Sequence, residues 1–198
     1  MQTEMIPALV ALAVATLFTP GPNNALLAAS GANFGWRRTL PHLLGVAVGF
    51  PVMLLCVGLA LGGLFQASAL FRESLRFGGA AILLWLAWKI ASSGGIGSKL
   101  TGAHPFTFAQ AAGFQWINPK AWTMAIAATS QFIVETAPVI TAAVTAGTFL
   151  TLGLVSASTW TLAGQAMTRW LTTERRLRGF NLAMAGLIVA STVQMVLG

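Results

Sequence analysis

Residues 18–24 read FTPGPNN, and residues 117–121 read INPKA. Both stretches lie inside long apolar runs, where a proline removes one helical hydrogen bond and clashes with a preceding carbonyl group. Two prolines flanking a glycine therefore predict a break in the first run, and Pro119 predicts a break in the second. Backbone groups freed in hydrocarbon need polar partners, and both stretches contain asparagine. Pro20 and Pro119 are 99 residues apart, which is half of the 198-residue chain.

The composition around these breaks is that of a membrane protein. Hydrophobic residues make up 56% of the chain, charged residues 8%, and the mean hydropathy is +0.77. A soluble domain has about 25% charged residues, and a helix that crosses a bilayer needs about 20 mostly apolar ones. We therefore expect an all-α polytopic membrane protein without a separate soluble domain. The apolar runs predict six transmembrane helices, at residues 5–28, 40–64, 69–91, 107–132, 138–165 and 178–197.

The chain has the organisation of an internal repeat within a single membrane domain, residues 1–198. A second pair of segments, residues 75–80 and 177–182, aligns loosely at an offset of 102 residues, close to the offset of the two prolines. Repeat one then covers about residues 1–98 and repeat two about residues 99–198, with three spans each. Since three spans reverse the side from which the next repeat enters, the repeats are inverted, as in many secondary transporters. Such transporters place their substrate site at corresponding broken helices, here in spans one and four.

The basic residues predict how the chain is oriented. The net charge is +7, but the cations lie between apolar runs rather than on one soluble face, so we expect no nucleic-acid partner. Cytoplasmic loops carry the excess of Lys and Arg. Only Arg72 and Arg76 lie on the side opposite the cation-rich loops, which places both termini outside. The loops after spans one, three and five hold eight cations: Arg37, Arg38, Lys89, Lys99, Arg169, Arg175, Arg176 and Arg178.

The two broken stretches resemble the signatures of the LysE/RhtB family of amino-acid exporters. The first matches the family's early FTPGPN motif at residues 18–23, and the second matches its NPKA segment at residues 118–121. Within the family, residues 85–91 (WLAWKIA) and 160–164 (WTLAG) resemble the cysteine/O-acetylserine exporter branch. The resemblance implies a secondary transporter that exports a small amino acid or close metabolite, of the cysteine/O-acetylserine, threonine or homoserine type. It also implies the bacterial inner membrane and coupling to an ion gradient, that of protons.

Lys120 is the first candidate for substrate binding, because an amino acid presents a carboxylate that needs a cation. A charged side chain at membrane depth is costly and usually faces the bundle interior or a water-filled cavity. The alternative is that Lys120 caps backbone carbonyls freed by Pro119 or reaches an interface. The predicted substrate-binding residues are Pro20, Gly21, Pro22, Asn23, Asn24, Asn118, Pro119 and Lys120, with Gln115, Arg76 and His42 as weaker candidates for substrate binding or coupling.

Proton coupling has little direct support in the sequence. The chain contains no aspartate, and its four glutamates lie at predicted span ends. The groups left to carry a proton are Lys120, His42 and Glu135. With Cys56 alone and the histidines at no zinc-ligand spacing, we expect no metal and no cofactor.

Three other functions compete with amino-acid export. A membrane-embedded enzyme needs a nucleophile with its base, paired carboxylates or metal ligands, which the sequence does not offer. A non-transporting scaffold has no need of interrupted helices. Efflux of an inorganic cation would need carboxylate or thiolate ligands near the middle of the membrane, and the predicted spans lack such a set.

Small residues spaced four apart predict close helix packing on two spans. Gly45 and Gly49, and Gly58 and Gly62, lie on span two, and residues 142–147 provide a similar surface on span five. Such surfaces serve either internal packing or the seam of a homodimer.

Overall fold

A computed structural model of the protein describes residues 5–61, 67–92 and 104–197, and all regular secondary structure in these ranges is helical. Mostly apolar segments form the helices, and proline or glycine lies at several of their boundaries. The helices are α1 (Met5–Phe18), α2 (Pro22–Phe34), α3 (Trp36–Cys56), α4 (Ala69–Ala91), α5 (Phe108–Ile117), α6 (Pro119–Phe132), α7 (Pro138–Met167) and α8 (Glu174–Leu197). A π-helical turn, Val57–Leu61, continues α3.

The predicted break in the first span is confirmed. Helix α1 ends at Phe18, α2 begins at Pro22, and their axes are bent by 55°. Proline suits the first position of α2, because its missing N–H would have no helical partner there. The prediction that the span ends at residue 28 is wrong, since α2 continues to Phe34.

The predicted connection between the first two spans is also wrong. A single residue, Gly35, separates α2 from α3, which begins at Trp36 rather than at residue 40. Gly35 has φ 77°, a left-handed conformation that glycine adopts at little cost. The turn therefore needs no longer loop.

The break in the fourth span is confirmed as well. Helix α5 ends at Ile117, and α6 begins at Pro119. The side chain of Asn118 caps α6 by accepting a hydrogen bond from the Lys120 backbone N–H, 3.1 Å away. The sequence thus ends one helix and starts the next within a single residue.

Three of the described helices are long and apolar enough to cross a membrane by length and composition. They are Trp36–Ala60, Ala69–Ala91 and Pro138–Met167, and the bent pair α1 and α2 makes a fourth if it counts as one span. Predicted spans two, three and five are therefore confirmed as membrane-length helices, although residues 62–64 of span two lie outside the described ranges. The six-span inverted repeat stays a prediction.

Three apolar clusters hold the helices together. The first joins α1, α3, α6 and α7 around side chains such as Leu9, Met53 and Phe149, all nearly inaccessible to solvent. The second joins α2, α4, α5 and α8, with Leu83 and Ile188 fully buried. A small third cluster joins α2, α3 and α7. These clusters fix the helices whose side chains surround the candidate site.

The glycines of α3 and of the π-helical turn that follows it serve internal packing. A methyl group on Gly45 or Gly49 would meet backbone atoms of α5, and one on Gly58 would meet Ile133 at the end of α6. Gly62 lies outside the described residues. On α7, Ala143 and Gly147 are exposed, so a homodimer seam stays a prediction for that surface.

Candidate functional site

Both breaks face the same cavity, which is partly open to solvent. Ligand sites typically combine apolar walls with a few polar groups. Apolar side chains of α3, α6 and α7 form much of the wall here. The polar lining comes from both breaks and from α7: Thr16, Asn23, Asn24, Gln115, Asn118, Lys120 and Ser156.

Side chains satisfy two of the backbone carbonyls at the first break. The Leu17 carbonyl accepts hydrogen bonds from Asn24 Nδ2 and Ser156 Oγ, each at 2.8 Å. The Thr19 carbonyl accepts from Asn24 Nδ2 at 2.9 Å and from Lys120 Nζ at 3.0 Å. A broken helix in hydrocarbon needs such partners. Asn24 thus supports the break in its own half, while Ser156 and Lys120 reach it from the other half.

The position of Lys120 bears on both interpretations offered by the sequence. Its half-buried side chain lines the cavity, and its ammonium caps the carbonyl of Thr19 rather than carbonyls near Pro119. The ammonium also lies against Gly21, where an added methyl group would be 2.9 Å from Nζ. Gly21 precedes α2 and provides no side-chain cap. A cation and the positive end of a helix dipole therefore lie together, an arrangement that favours a carboxylate.

Asn23 and Gln115 form a second link between the two halves. Asn23 Nδ2 donates to Gln115 Oε1 at 2.9 Å, and Gln115 Nε2 donates back to Asn23 Oδ1 at 3.4 Å. Gln115 is fully buried and also donates to the Ala111 carbonyl at 2.9 Å. The weaker sequence candidate Gln115 is thus placed in the cavity beside the stronger candidate Asn23.

The predicted site residues divide into two groups. Gly21, Asn23, Asn24, Gln115, Asn118 and Lys120 line the cavity. Pro20, Pro22 and Pro119 do not line it. Pro22 and Pro119 are buried at the first positions of α2 and α6, whereas Pro20 is exposed. Their observed contribution is to interrupt the helices so that the polar neighbours turn inward.

Arg76 and His42 lie away from the cavity lining. Arg76 pairs with Glu73 at 3.5 Å and donates a hydrogen bond to the Val196 carbonyl near the end of α8. The buried His42 has its Nδ1 3.0 Å from Ser30 Oγ. A substrate-binding role for either residue therefore has no support from this geometry, and a coupling role stays a prediction.

Sequence reasoning missed Ser156 and the aromatic wall of the cavity. Ser156 is one of several serines and threonines along α7, and nothing in that pattern distinguishes it. Phe50 and Phe149 are in edge-to-face contact, with ring centroids 5.3 Å apart, and both line the cavity. In a chain with 12 phenylalanines, composition gives no signal for these two.

Within the described ranges, no group of three or more His, Cys, Asp or Glu side chains is placed to hold a metal ion.

Membrane-length apolar helices surround a cavity at which two broken helices meet, an arrangement found in many secondary transporters. The sequence model of the family described as "LysE type translocator" matches residues 14–198, and the chain belongs to this family. It is therefore a multi-pass membrane transporter rather than an enzyme or a passive scaffold.

Relatives of known function are similar over nearly the whole chain. The chain is 34% identical to the cysteine/O-acetylserine efflux protein of Klebsiella pneumoniae subsp. pneumoniae, covering 99% of each sequence. It is 32% identical to the cysteine/O-acetylserine efflux protein of Escherichia coli strain K12, covering 90% of this chain and 91% of that one. No solved structure matches the chain.

Proposed function

We propose that the protein exports a small amino acid of the cysteine/O-acetylserine type from the cytoplasm across the bacterial inner membrane. Threonine and homoserine are related substrates of the same size class. The observation that carries the proposal is the meeting of two broken helices at one cavity, where the Lys120 ammonium lies against Gly21. The names of the relatives support the substrate class.

The carboxylate of the substrate binds between Lys120 and the first turn of α2. Lys120 supplies a charge-assisted hydrogen bond, which is stronger than a neutral one. The first N–H groups of α2 have no helical partners, and its N-cap residue has no side chain to satisfy them. Their partial positive charge adds to that of the ammonium.

The substrate ammonium binds to the amide side chains opposite. Asn23 and Gln115 each have a carbonyl oxygen that accepts hydrogen bonds, and their mutual bond of 2.9 Å opens to admit a competing donor. The side chain of the substrate lies against Phe50, Met124 and Phe149. Bulky walls on that side favour a short substrate side chain.

The membrane arrangement we propose has six spans in two inverted repeats, with both termini outside. The broken spans are α1 with α2 and α5 with α6, so corresponding breaks lie near the middle of the bilayer. Lys99 lies outside the described residues, and the other cations of the proposed cytoplasmic loops flank the ends of α3, α4, α7 and α8.

The proposed source of energy is the proton gradient, which drives export of the amino acid by antiport with protons. The glutamates in the described ranges lie near helix ends: Glu73 in the second turn of α4, Glu135 between α6 and α7, and Glu174 at the start of α8. The coupling proton therefore needs a titratable side chain within the membrane other than these glutamates, and Lys120 and His42 are the candidates that the sequence offers.

Flux in proteoliposomes tests the proposal. Purified protein is reconstituted, loaded in turn with labelled cysteine, O-acetylserine, threonine, homoserine, leucine or lysine, and measured with and without a pH gradient. We expect saturable, gradient-dependent efflux of a small neutral amino acid and slower efflux of leucine and lysine. Absence of flux for the whole panel, with protein that is folded in the vesicles, would refute amino-acid export.

A further inference from the structure

The polar groups of the cavity have partners within the chain itself. Asn23 pairs with Gln115, Asn118 caps α6, and Ser156 donates to Leu17. Lys120, a cation in the cavity lining, donates to the Thr19 carbonyl at 3.0 Å. The fold therefore contains an internal acceptor for the same ammonium that would bind a substrate carboxylate.

Gly21 provides the space in which the Lys120 ammonium lies. A methyl group at residue 21 would be 2.9 Å from Nζ and 3.1 Å from Cδ of Lys120. The backbone of Gly21 is extended, with φ −176° and ψ −179°, which any residue can adopt. Since the atoms in the way belong to the flexible end of a lysine, alanine fits the fold only if the ammonium moves away.

We propose that Gly21 is a positioning residue that lets the Lys120 ammonium alternate between the Thr19 carbonyl and the substrate carboxylate. Because the Thr19 carbonyl takes the place of the substrate carboxylate, the empty binding site returns to face the cytoplasm without a bound amino acid. The consequence is net export rather than obligatory exchange of one amino acid for another. This inference rests on the proposed function and adds the route of the return step.

The physical reason is the cost of an unpaired charge at membrane depth. A half-buried ammonium that loses its acceptor is destabilised. If the substrate were the only partner of the lysine, the ammonium would be unpaired each time the empty site returned to the cytoplasmic side. Such a transporter would be restricted to exchanging one amino acid for another. An acceptor 3.0 Å from the ammonium lowers that barrier.

The first test compares two modes of transport by the unaltered protein. Proteoliposomes loaded with a labelled substrate are diluted into buffer with no amino acid, or into buffer with the same unlabelled amino acid. We expect efflux into both, at rates within about threefold of each other. Efflux only into buffer with amino acid would overturn the inference and leave amino-acid transport intact, whereas no efflux in either mode would refute the proposed function and this inference with it.

The second test uses Gly21→Ala. Displacement of the ammonium from Thr19 should lower the ratio of net efflux to exchange about tenfold, as expected for loss of one charge-assisted hydrogen bond. Exchange through the same variant is the reference, because a loss of substrate binding that is common to both modes cancels in the ratio. The matched control is Gly186→Ala on α8, where a methyl group meets no atom within 4 Å, and its ratio should be unchanged. An unchanged ratio in folded Gly21→Ala protein would overturn the inference.

Discussion

Replacement of Lys120 by methionine removes the cation from the cavity while keeping most of the side-chain volume. The ammonium is half-buried and, in the proposed site, forms a charge-assisted bond to the substrate carboxylate. Loss of such a bond costs about 1.5–3 kcal/mol, which corresponds to about a 10- to 150-fold loss of affinity. We therefore expect flux at low substrate concentration to fall by at least tenfold.

The same substitution should change the stability of the protein very little. The Thr19 carbonyl keeps its hydrogen bond from Asn24 Nδ2 at 2.9 Å when Lys120 is gone. Only one acceptor bond is lost from a carbonyl that had two, so the free energy of unfolding should change by less than about 1.5 kcal/mol. A large loss of flux with near-normal stability distinguishes substrate binding from a purely structural cap.

The assay is the concentration dependence of efflux from proteoliposomes, with thermal unfolding in detergent as the measure of stability. The matched control is Lys89→Met, because Lys89 is an exposed cation outside the cavity whose Nζ lies 5.2 Å from the centroid of the Trp85 ring. Its flux should equal that of the unaltered protein. Normal flux at low substrate concentration in folded Lys120→Met protein would refute the binding role of the ammonium.

Three further predictions follow from the breaks, the packing and the orientation. Asn24→Ala removes one hydrogen-bond donor from both the Leu17 and Thr19 carbonyls and should lower the free energy of unfolding by about 1–3 kcal/mol. Equal free energies of unfolding for this variant and for the exposed-site control Gln131→Ala would contradict the role of Asn24 in supporting the break. Gly164→Ala brings a methyl group against the Ala28 carbonyl and should destabilise the protein by about 1–3 kcal/mol, whereas Gly179→Ala, with open space around it, should not. Equal melting temperatures for these two variants would argue against tight contact between α2 and α7. In a Cys56→Ala background, the thiol of Arg175→Cys should react with an impermeant reagent only from the cytoplasmic side, and that of Glu135→Cys only from outside. The reverse pattern would overturn the topology.

The helix breaks could be predicted because proline acts locally. Pro22 and Pro119 lack the N–H that a continuous helix requires, so the sequence alone locates both interruptions. The C-terminal end of α2 could not be predicted in the same way. Hydropathy marks where apolar composition stops, whereas Asn33 and Phe34 still continue the helix until Gly35 turns it.

The partners within the site could not be predicted, because they are distant in the chain. Lys120 and Thr19 are 101 residues apart, and Asn23 and Gln115 are 92 apart. The predicted repeat would make the two breaks correspond, but it does not specify which side chain caps which carbonyl. The sequence offered capping of carbonyls near Pro119 as the alternative role of Lys120, and the observed contact is instead with the Thr19 carbonyl in the first half of the chain.

The most direct test of the central claim is protection of the cavity by substrate. Ser156→Cys in a Cys56→Ala background places a thiol in the cavity lining, and Thr159→Cys places one on the exposed face of α7. The rate of modification by a small thiol reagent is measured with and without saturating O-acetylserine or threonine. We predict that the transported amino acid slows modification at residue 156 at least fivefold and leaves residue 159 unchanged. Equal rates at residue 156 with and without an amino acid that the protein demonstrably transports would contradict the claim that this cavity is the binding site.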